Sequence, residues 1–397
     1  MAESTPESEE PSKKKQRVTG DDLYRRSTQF EVWSYTPDQL LQTKHRANAK
    51  GRQLAQLRFQ RQYTLAKQEH QELFASNQDQ LNESIVSLLT PEEESTYLDF
   101  YIQNITTTCS FFHMPTQVKL TAASFFKKFY LVNSVMEYHP KNILYTCIFL
   151  AAKSENYFIS IDSFVKALKG VTNADILGLE FILLQSLKFT LLVHHPVRPL
   201  YGFFLDFQAE LLHPDPVMYD VSVDTIGGVY NRAKEWINKY YMFSDVAFLF
   251  APPHIALAAM YDVDRRITDR YLKRKFLRDE KREDEAVAEA KEATGDDSKE
   301  KHEETKDAKE PTEPNEAKET NGEAKKPSSS SPPHQPTGRE QYENLVRSIR
   351  KCIKLAKDMP VTDRERSKEI DRMCYFALNP KKLIDKRIKK LTADKVE

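Results

Sequence analysis

Two charged residues interrupt apolar helical patterns in the first half of the chain, and they are the side chains best placed to do chemistry. Lys153 follows the apolar stretch that begins at Pro140, and Glu180 falls on the apolar side of a later predicted helix. A carboxylate on an apolar stripe is costly unless a partner satisfies it. Two interpretations stay open: the residues pair with each other or with backbone groups and serve folding alone, or both reach the surface and bind a partner.

The predicted helix that carries Lys153 is apolar nearly all the way round. Pro140 suits its first turn, and apolar residues then recur at three- and four-residue spacing. They are Ile143, Leu144, Cys147, Ile148, Ala151 and Ala152. Because such a helix is normally buried on every side, we predict the central helix of a bundle. Lys153 would emerge at its C-terminal end, where the helix dipole favours a cation.

Motifs that would indicate an enzyme are absent from the sequence. There is no Walker loop, GxGxxG, GxSxG, HExxH or CxxC motif. The histidines mostly stand beside prolines at predicted helix starts, where structural roles are commoner than catalytic ones: His113, His139, His194, His195 and His254. The four cysteines share no metal-ligand spacing: Cys109, Cys147, Cys352 and Cys374. We therefore predict a non-catalytic binding module without metal or cofactor, with reduced core cysteines as in cytosolic or nuclear proteins.

Composition narrows the class further. The 59 basic and 59 acidic side chains balance, so net charge gives no argument for nucleic acid or an acidic substrate. Ten glycines in 397 residues are few for an α/β nucleotide-binding enzyme. We find no signal peptide and no uninterrupted apolar run of membrane-spanning length, and predict no membrane partner.

Two blocks of predicted helices follow each other along the chain. The first has helices from Thr90, from Val118, from Pro140 and over Ile161–Leu168, and a fifth from about Asn173 to Leu192. In the second block, as in the first, a proline leads into an alanine-rich apolar helix, here after Ala251-Pro252-Pro253. This repeated order predicts an internal duplication of an all-helical unit.

Changes in composition set the predicted boundaries. We expect a disordered segment over 1–29, an N-terminal helix over 30–70, folds over 90–193 and over 196–278 plus 339–358, a disordered insertion over 279–338, and a C-terminal helix and basic tail over 362–397. The insertion is rich in charge and almost devoid of large apolar residues, so it cannot offset the entropy of ordering. Lys13 to Arg17 is either a nuclear import signal or a solvated charge run. Lys381 to Lys395 is predicted to be a mobile tail or a weak polyanion contact.

Several segments together resemble the cyclin box, most closely that of the cyclin-H family. They read FYLVNSVMEYHP, CIFLAAKSEN and LEFILLQSLKFTLLVHHPVRP. FEVWSYTPDQLLQTKHRANAK resembles the amino-terminal segment of that family, and Leu345 to Leu378 resembles its final helices. The NSVMEYHP stretch is specific to this branch, whereas AAK and LE occur in cyclins generally. The resemblance implies an all-α fold of two five-helix cyclin folds with flanking terminal helices, and the long insertion suggests a fungal-type member.

The resemblance also implies a function. It points to a nuclear regulatory subunit of the cyclin-dependent kinase-activating kinase (CAK), which works in the cell cycle and in transcription. The expected partners are the kinase catalytic subunit, a RING-type assembly factor and the TFIIH core, and the kinase substrates are CDK activation loops and the tail of RNA polymerase II. In cyclins, the lysine ending the third helix and the glutamate of the fifth contact the kinase, which by position are Lys153 and Glu180. Neighbours predicted to line the same contact are Phe149, Ser154, Leu183 and Leu184.

Two other classes remain as alternatives. TFIIB-like transcription adaptors also contain duplicated cyclin folds, but they present a basic face to DNA and usually carry a zinc ribbon. The sequence has no Cys/His quartet and no net charge, so we predict no sequence-specific contact with nucleic acid. An enzyme in its own right would show activity without added kinase. The substrate-docking patch of cell-cycle cyclins has no match in Tyr101 to Ser110.

Overall fold

The computed structural model describes residues 20–212, 221–277, 337–358 and 364–393, and regular structure within those ranges is helical. The helices are α1 Gly20–Arg25, α2 Thr28–Trp33, α3 Pro37–Glu69, α4 Gln71–Ser76, α5 Pro91–Phe111, α6 Thr116–Val132, α7 Pro140–Ser154, α8 Ile161–Lys166, α9 Asn173–Ser186, α10 Val197–Leu211, α11 Val223–Trp236, α12 Val246–Leu249, α13 Pro252–Val263, α14 over 265–277, α15 Gly338–Lys357, α16 Arg364–Leu378 and α17 Pro380–Ala393. The predicted import signal and nearly all of the charged insertion lie outside the described residues. None of the described helices combines the length and apolar character needed to cross a bilayer.

Helix α7 is the centre of the first helical block, as its apolar pattern predicted. Pro140 occupies its first turn, and the His139 Nδ1 accepts a hydrogen bond from the Lys141 N–H at 3.2 Å. Its apolar side chains are buried by α5, α6 and α9, which pack around it. The burial of so many apolar side chains is the main force holding this bundle together.

The second block repeats the plan with α10, α11 and α13. Helix α13 begins at Pro252 and packs against both α10 and α11, with Ile255, Leu257 and Met260 buried. Gly227 and Gly228 do not interrupt α11, which continues into one π-helical turn over Ile237–Tyr241. The predicted duplication is therefore confirmed as two all-helical blocks, each with a proline-led apolar helix inside.

The described residues between 266 and 348 belong to a compact unit of their own. Its described part consists of α14 from residue 266 and the first half of α15. Inside it, the Tyr342 hydroxyl donates to Asp269 Oδ1 at 2.5 Å, and Lys273 pairs with Asp269 Oδ2 at 2.9 Å. These contacts join the two helical segments across the insertion in the sequence.

The prediction of disorder over 1–29 is wrong from Gly20 onward, because two short helices precede the expected N-terminal helix. Ser27 caps α2 by accepting the Phe30 N–H. The Gln29 amide then exchanges two hydrogen bonds with the backbone of His194, at 2.7 and 3.2 Å. The sequence pattern misses this order because the stabilising partners lie far along the chain.

The turn between α6 and α7 is where several helices attach to the first block. The buried Glu94 carboxylate of α5 accepts from the Val135 N–H at 2.7 Å and from the Asn48 amide of α3 at 2.6 Å. Arg58 of α3 donates to the Met136 carbonyl at 3.0 Å. Burial raises the pKa of the Glu94 carboxyl, and these donors partly oppose that effect. The NSVMEYHP stretch thus joins α3 and α5 to the start of α7.

The C-terminal basic segment is not a mobile tail over its described residues. Helix α17 begins at Pro380, and its Leu383, Ile384 and Leu391 are buried against a cluster that includes Phe59 of α3. These apolar residues recur at helical spacing between the lysines, which point outward. The abundance of lysine hid that stripe at the sequence level, since long charged side chains commonly flank an apolar helix face.

Close packing of α3 on the 133–139 turn gives a first prediction, on the substitution Gly51→Ala. A Cβ at Gly51 would overlap the side chain of Ser134, so the helix or the turn must shift. We expect the free energy of unfolding to fall by about 1–3 kcal/mol. The matched control is Gly227→Ala in α11, where nothing lies within 4 Å, and which should gain about 0.5–1 kcal/mol. Urea unfolding followed by circular dichroism measures both; equal stability of Gly51→Ala and wild type would contradict the close contact.

Candidate functional site

The side chains singled out by the sequence meet at the C-terminal end of α7. Lys153 emerges from the buried helix and forms an ion pair with Glu180 Oε1 of α9. The Lys153 ammonium also lies 4.8 Å from the centre of the Phe149 ring, one turn earlier on α7. The two residues thus pair with each other, and both also reach the surface, with 43% and 19% of their side chains exposed.

Aromatic packing fixes the floor beneath Lys153. The Phe149 ring is almost fully buried and stacks on Phe164 of α8, with centroids 6.0 Å apart. Phe164 in turn contacts Phe112 at 4.9 Å. The Ser154 hydroxyl, also predicted to line the contact, donates to the Ala151 carbonyl at 3.1 Å. The structure therefore places Phe149 as a buried support, and Ser154 at the half-buried helix end.

Helix α9 is apolar on two sides, and the described residues cover only one of them. Ile176 and Leu183 are buried against the bundle, and Leu183 is 0% exposed. Phe181 and Leu177 point outward, with 59% and 46% of their surface exposed. Glu180 lies between the two stripes. Leu184 is only partly buried, so of the two leucines predicted to line a contact, Leu184 can touch a partner and Leu183 is core.

Two residues of the outward apolar stripe of α9 were not expected from the sequence: Leu177 and Phe181, both exposed. They lie at three- and four-residue spacing on the same face as the predicted contact residue Leu184, which is partly buried. The sequence did hold a signal, because α9 is apolar all round and yet carries a charge. A helix that buries only one of two apolar sides needs a second covering partner.

A strained turn adds one more aromatic residue to this face. Helix α9 ends at Ser186, not at the predicted Leu192, because Lys188 and Phe189 take left-handed backbone angles with φ of 52° and 56°. Such angles are uncommon for residues other than glycine. The turn brings the exposed Phe189 ring to 6.4 Å from Phe181. We call Lys153, Glu180 and the apolar residues Leu177, Phe181, Leu184 and Phe189 the α7/α9 face.

Trp33 holds this turn from the inside. Its indole N–H donates to the Thr190 hydroxyl at 2.8 Å, and Lys188 Nζ lies 5.4 Å from its ring centre. A second lysine, Lys128 of α6, also contacts this indole, with its Nζ 5.3 Å from the ring centre. The N-terminal segment therefore supports the backbone that presents Phe189.

A buried chain of hydrogen bonds lies behind the end of α7. The Thr121 hydroxyl donates to Glu155 Oε1 at 2.6 Å and also lies 2.8 Å from His195 Nε2. The Thr121 hydroxyl has one proton, which Glu155 accepts, so the Nε2–H of His195 donates a hydrogen bond to the Thr121 oxygen. The Nδ1 of His195 then accepts a hydrogen bond from the Tyr241 hydroxyl, 3.1 Å away. Burial lowers the pKa of His195 to about 3, so the ring is neutral. Glu155, next to the candidate site in sequence, is thus used internally.

The described residues provide no alternative chemistry at this face. No group of His, Cys, Asp or Glu within them is arranged to hold a metal ion. All four cysteines are free and buried, as predicted. Burial raises the pKa of the Cys109 and Cys352 thiols to about 12, which makes them poor nucleophiles. What the face offers is an apolar surface with one ion pair at its edge.

Comparison with known proteins assigns both helical blocks. Residues 63–192 match the family model "Cyclin, N-terminal domain", and residues 195–357 match "Cyclin C-terminal domain". A chain in the structure of the CAK complex from Chaetomium thermophilum bound to ATP-γ-S superposes with a TM-score of 0.59 at 24% identity, covering 94% of this chain and 90% of that chain. At that identity the likeness establishes the fold alone. The class of protein is therefore a cyclin with two cyclin folds.

Sequence relatives narrow the class. Cyclin CCL1 of Saccharomyces cerevisiae is 41% identical over 264 residues, which is 66% of this chain and 63% of CCL1, so the match spans less than two thirds of that relative. Cyclin-H of Xenopus laevis is 32% identical over 253 residues, 62% of this chain and 69% of that protein. The chain belongs to the cyclin-H family.

The contact between Lys128 and Trp33 gives a second prediction, on Lys128→Met. Lys128 is 2% exposed, and its Nζ has no hydrogen-bond partner among the described residues. Burial lowers its pKa to about 8 from 10.5. Since the burial cost exceeds that of an apolar side chain, we expect the variant to be more stable at pH 7 by about 1–3 kcal/mol.

The pH dependence of that gain has a definite sign. Below pH 8 Lys128 is charged in both the folded and the unfolded chain, so the full cost is present. Between pH 8 and 10.5 unfolding takes up a proton, so the wild-type stability rises and the advantage of Lys128→Met shrinks. Thermal unfolding of Lys128→Met and wild type between pH 7 and 10.5 tests this loss of advantage. Lys141→Met, at the exposed start of α7, is the control. A less stable Lys128→Met would mean that the Trp33 contact outweighs desolvation.

Proposed function

We propose that the chain is the non-catalytic regulatory subunit that binds and activates the cyclin-dependent kinase of a CDK-activating kinase. The observation that carries the proposal is the uncovered apolar side of α9, edged by the Lys153–Glu180 ion pair. Membership of the cyclin-H family supports it, since Lys153 and Glu180 correspond by position to the lysine and the glutamate with which cyclins contact their kinase. The described part of the chain offers no catalytic constellation of its own.

Such a subunit acts by changing the conformation of the kinase and supplies no catalytic group. A protein kinase transfers phosphate efficiently only when the glutamate of its αC helix is paired with the β3 lysine. A cyclin that binds only the arrangement with αC inward shifts the kinase population towards it. Moving a strongly inactive kinase to a strongly active one needs about 5 kcal/mol of differential affinity. Burial of the apolar residues of the α7/α9 face would supply most of that preference.

The ion pair has a different part in this proposal. In the free chain Lys153 and Glu180 are substantially exposed, and such pairs contribute little to stability. When a partner covers the face, the same charges lose water, and their interaction with each other and with the partner strengthens. Lys153 and Glu180 would thus fix the register of the kinase helix, while Phe181 and Leu184 supply affinity.

The wider assignment extends the same proposal. A RING-type assembly factor and the TFIIH core are the further partners that we expect, from the resemblance of the sequence to the cyclin-H family. The substrates of the kinase would then be the tail of RNA polymerase II and CDK activation loops, and the complex would act in the nucleus. Affinity purification of the full chain from its own cells, followed by identification of bound proteins, tests this assignment. Recovery without any cyclin-dependent kinase would refute it.

Activation itself is tested with the purified kinase. The catalytic subunit identified by co-purification is first prepared without the chain. The full chain is then added to it, and phosphate transfer to a peptide of RNA polymerase II tail repeats is measured. We expect a large rise in rate with the chain and none from the chain alone. A kinase that is equally active with and without the chain would overturn the proposal, and so would activity of the chain without kinase.

The third prediction removes the ion pair. Lys153→Ala with Glu180→Ala should weaken kinase binding about tenfold or more, equivalent to about 1.4 kcal/mol, without changing the unfolding temperature. The matched control is Arg339→Ala with Glu343→Ala, which removes another exposed ion pair, at 3.3 Å on α15. Calorimetric titration with the kinase measures both variants. Equal affinities of the two double variants would show that Lys153 and Glu180 do not set the contact.

The fourth prediction separates the two sides of α9. Phe181→Ala should weaken kinase binding by about tenfold or more, while the free energy of unfolding changes by only about 0.5 kcal/mol. Leu183→Ala removes a fully buried side chain and should lower the free energy of unfolding by about 2–5 kcal/mol. Urea unfolding and kinase titration are made on both. Full kinase affinity in a folded Phe181→Ala variant would exclude α9 as the contact.

A further inference from the structure

A second recognition surface lies between α16 and α17, away from the residues of the α7/α9 face. The two helices and the segment before α5 enclose a groove of about 610 Å³. Its rim carries the basic side chains of Arg372, Lys386, Arg387 and Lys390, and its floor includes Met373 and Phe376. This is the α16/α17 basic groove. Its size is in the range of sites that hold a ligand side chain or a short peptide.

Three basic side chains of this groove have no acidic partner in the described part of the chain. Nearby on α16, Arg366 pairs with both Glu93 and Glu369. By contrast, Arg372, Arg387 and Lys390 form no ion pair with any acidic side chain in the described ranges. Like charges held together repel one another, so a group of them at a concave surface attracts an anionic ligand.

The floor of the groove selects among anionic ligands. Phe376 is only partly buried, and Lys386 Nζ lies 5.6 Å from its ring centre. The ring face is thus covered by a cation, so it is not free to stack on a nucleobase. An apolar side chain flanked by carboxylates suits the groove better, because it can contact Met373 while the carboxylates reach the rim.

We propose that the α16/α17 basic groove binds an acidic peptide segment of a partner protein, with one large apolar side chain inserted among Asp and Glu residues. The carboxylates contact Arg372, Arg387 and Lys390, and the apolar side chain packs on the floor beside Met373. The binding is salt-dependent, because exposed charges supply most of the attraction. This inference does not depend on the proposed kinase contact, since the two surfaces share no residue.

The test uses the full chain and a fluorescent synthetic peptide of Asp, Glu and Ser with one central Phe. Fluorescence anisotropy at low and at physiological salt gives its affinity. Arg387→Glu with Lys390→Glu should weaken binding about tenfold or more. The matched control is Lys381→Glu with Lys389→Glu, which makes the same charge change on α17 outside the groove and should weaken binding by less than about threefold. Helicity and unfolding temperature are measured on all variants to confirm that they fold.

Two further probes decide the chemistry of the ligand. A peptide with the central Phe replaced by Ser should bind more weakly, and a single-stranded oligonucleotide of equal charge should compete poorly. Equal weakening by the groove and control variants would reduce the contact to diffuse charge and overturn the proposal. Tighter binding of the oligonucleotide would assign the groove to nucleic acid instead. No peptide binding even at low salt would also reject it.

Discussion

The buried Glu94 carboxylate is the interaction on which the arrangement of the first block depends. It accepts hydrogen bonds from Asn48 on α3 and from the Val135 N–H in the turn before α7. A buried carboxylate is tolerated only when its oxygens are satisfied, so α3, α5 and this turn must come together at once. The turn leads directly into Pro140 and fixes where α7 begins. The position of Lys153 therefore depends on a contact at the opposite end of its helix.

The local sequence pattern is sufficient to predict a helix when that helix is buried on all sides. Helix α7 was predicted from its sequence because every face is apolar, and the same applies to α13 in the second block. The end of α9 could not be found in this way, since apolar residues continue past Ser186 as far as Val193. The turn there is held by Trp33, 157 residues before Thr190 in the chain. Only tertiary structure brings that partner into view.

The candidate site was half predictable for a similar reason. Lys153 and Glu180 were singled out because each interrupts an apolar pattern, with pairing between them as one of the open interpretations, and the structure brings them together. Sequence alone did not separate the outward Leu184 from the buried Leu183, because adjacent residues differ by about 100° around a helix and both are leucine. Deciding which side of α9 is covered requires the neighbouring helices. The C-terminal stripe of α17 was overlooked because it packs on α3, whose residues lie some three hundred positions earlier in the sequence, roughly the span of two ordinary domains.

The backbone at Lys188 and Phe189 links the N-terminal segment to recognition. Two successive left-handed residues that are not glycine hold their conformation only where surrounding contacts impose it. Trp33 and Thr190 provide those contacts. A polypeptide cut just after Trp33 would thus keep every side chain of the recognition face and still lose the brace that aims one of them. Boundary choice in recombinant expression, and cleavage by cellular proteases near the amino terminus, would consequently act on partner engagement at a distance from the cut.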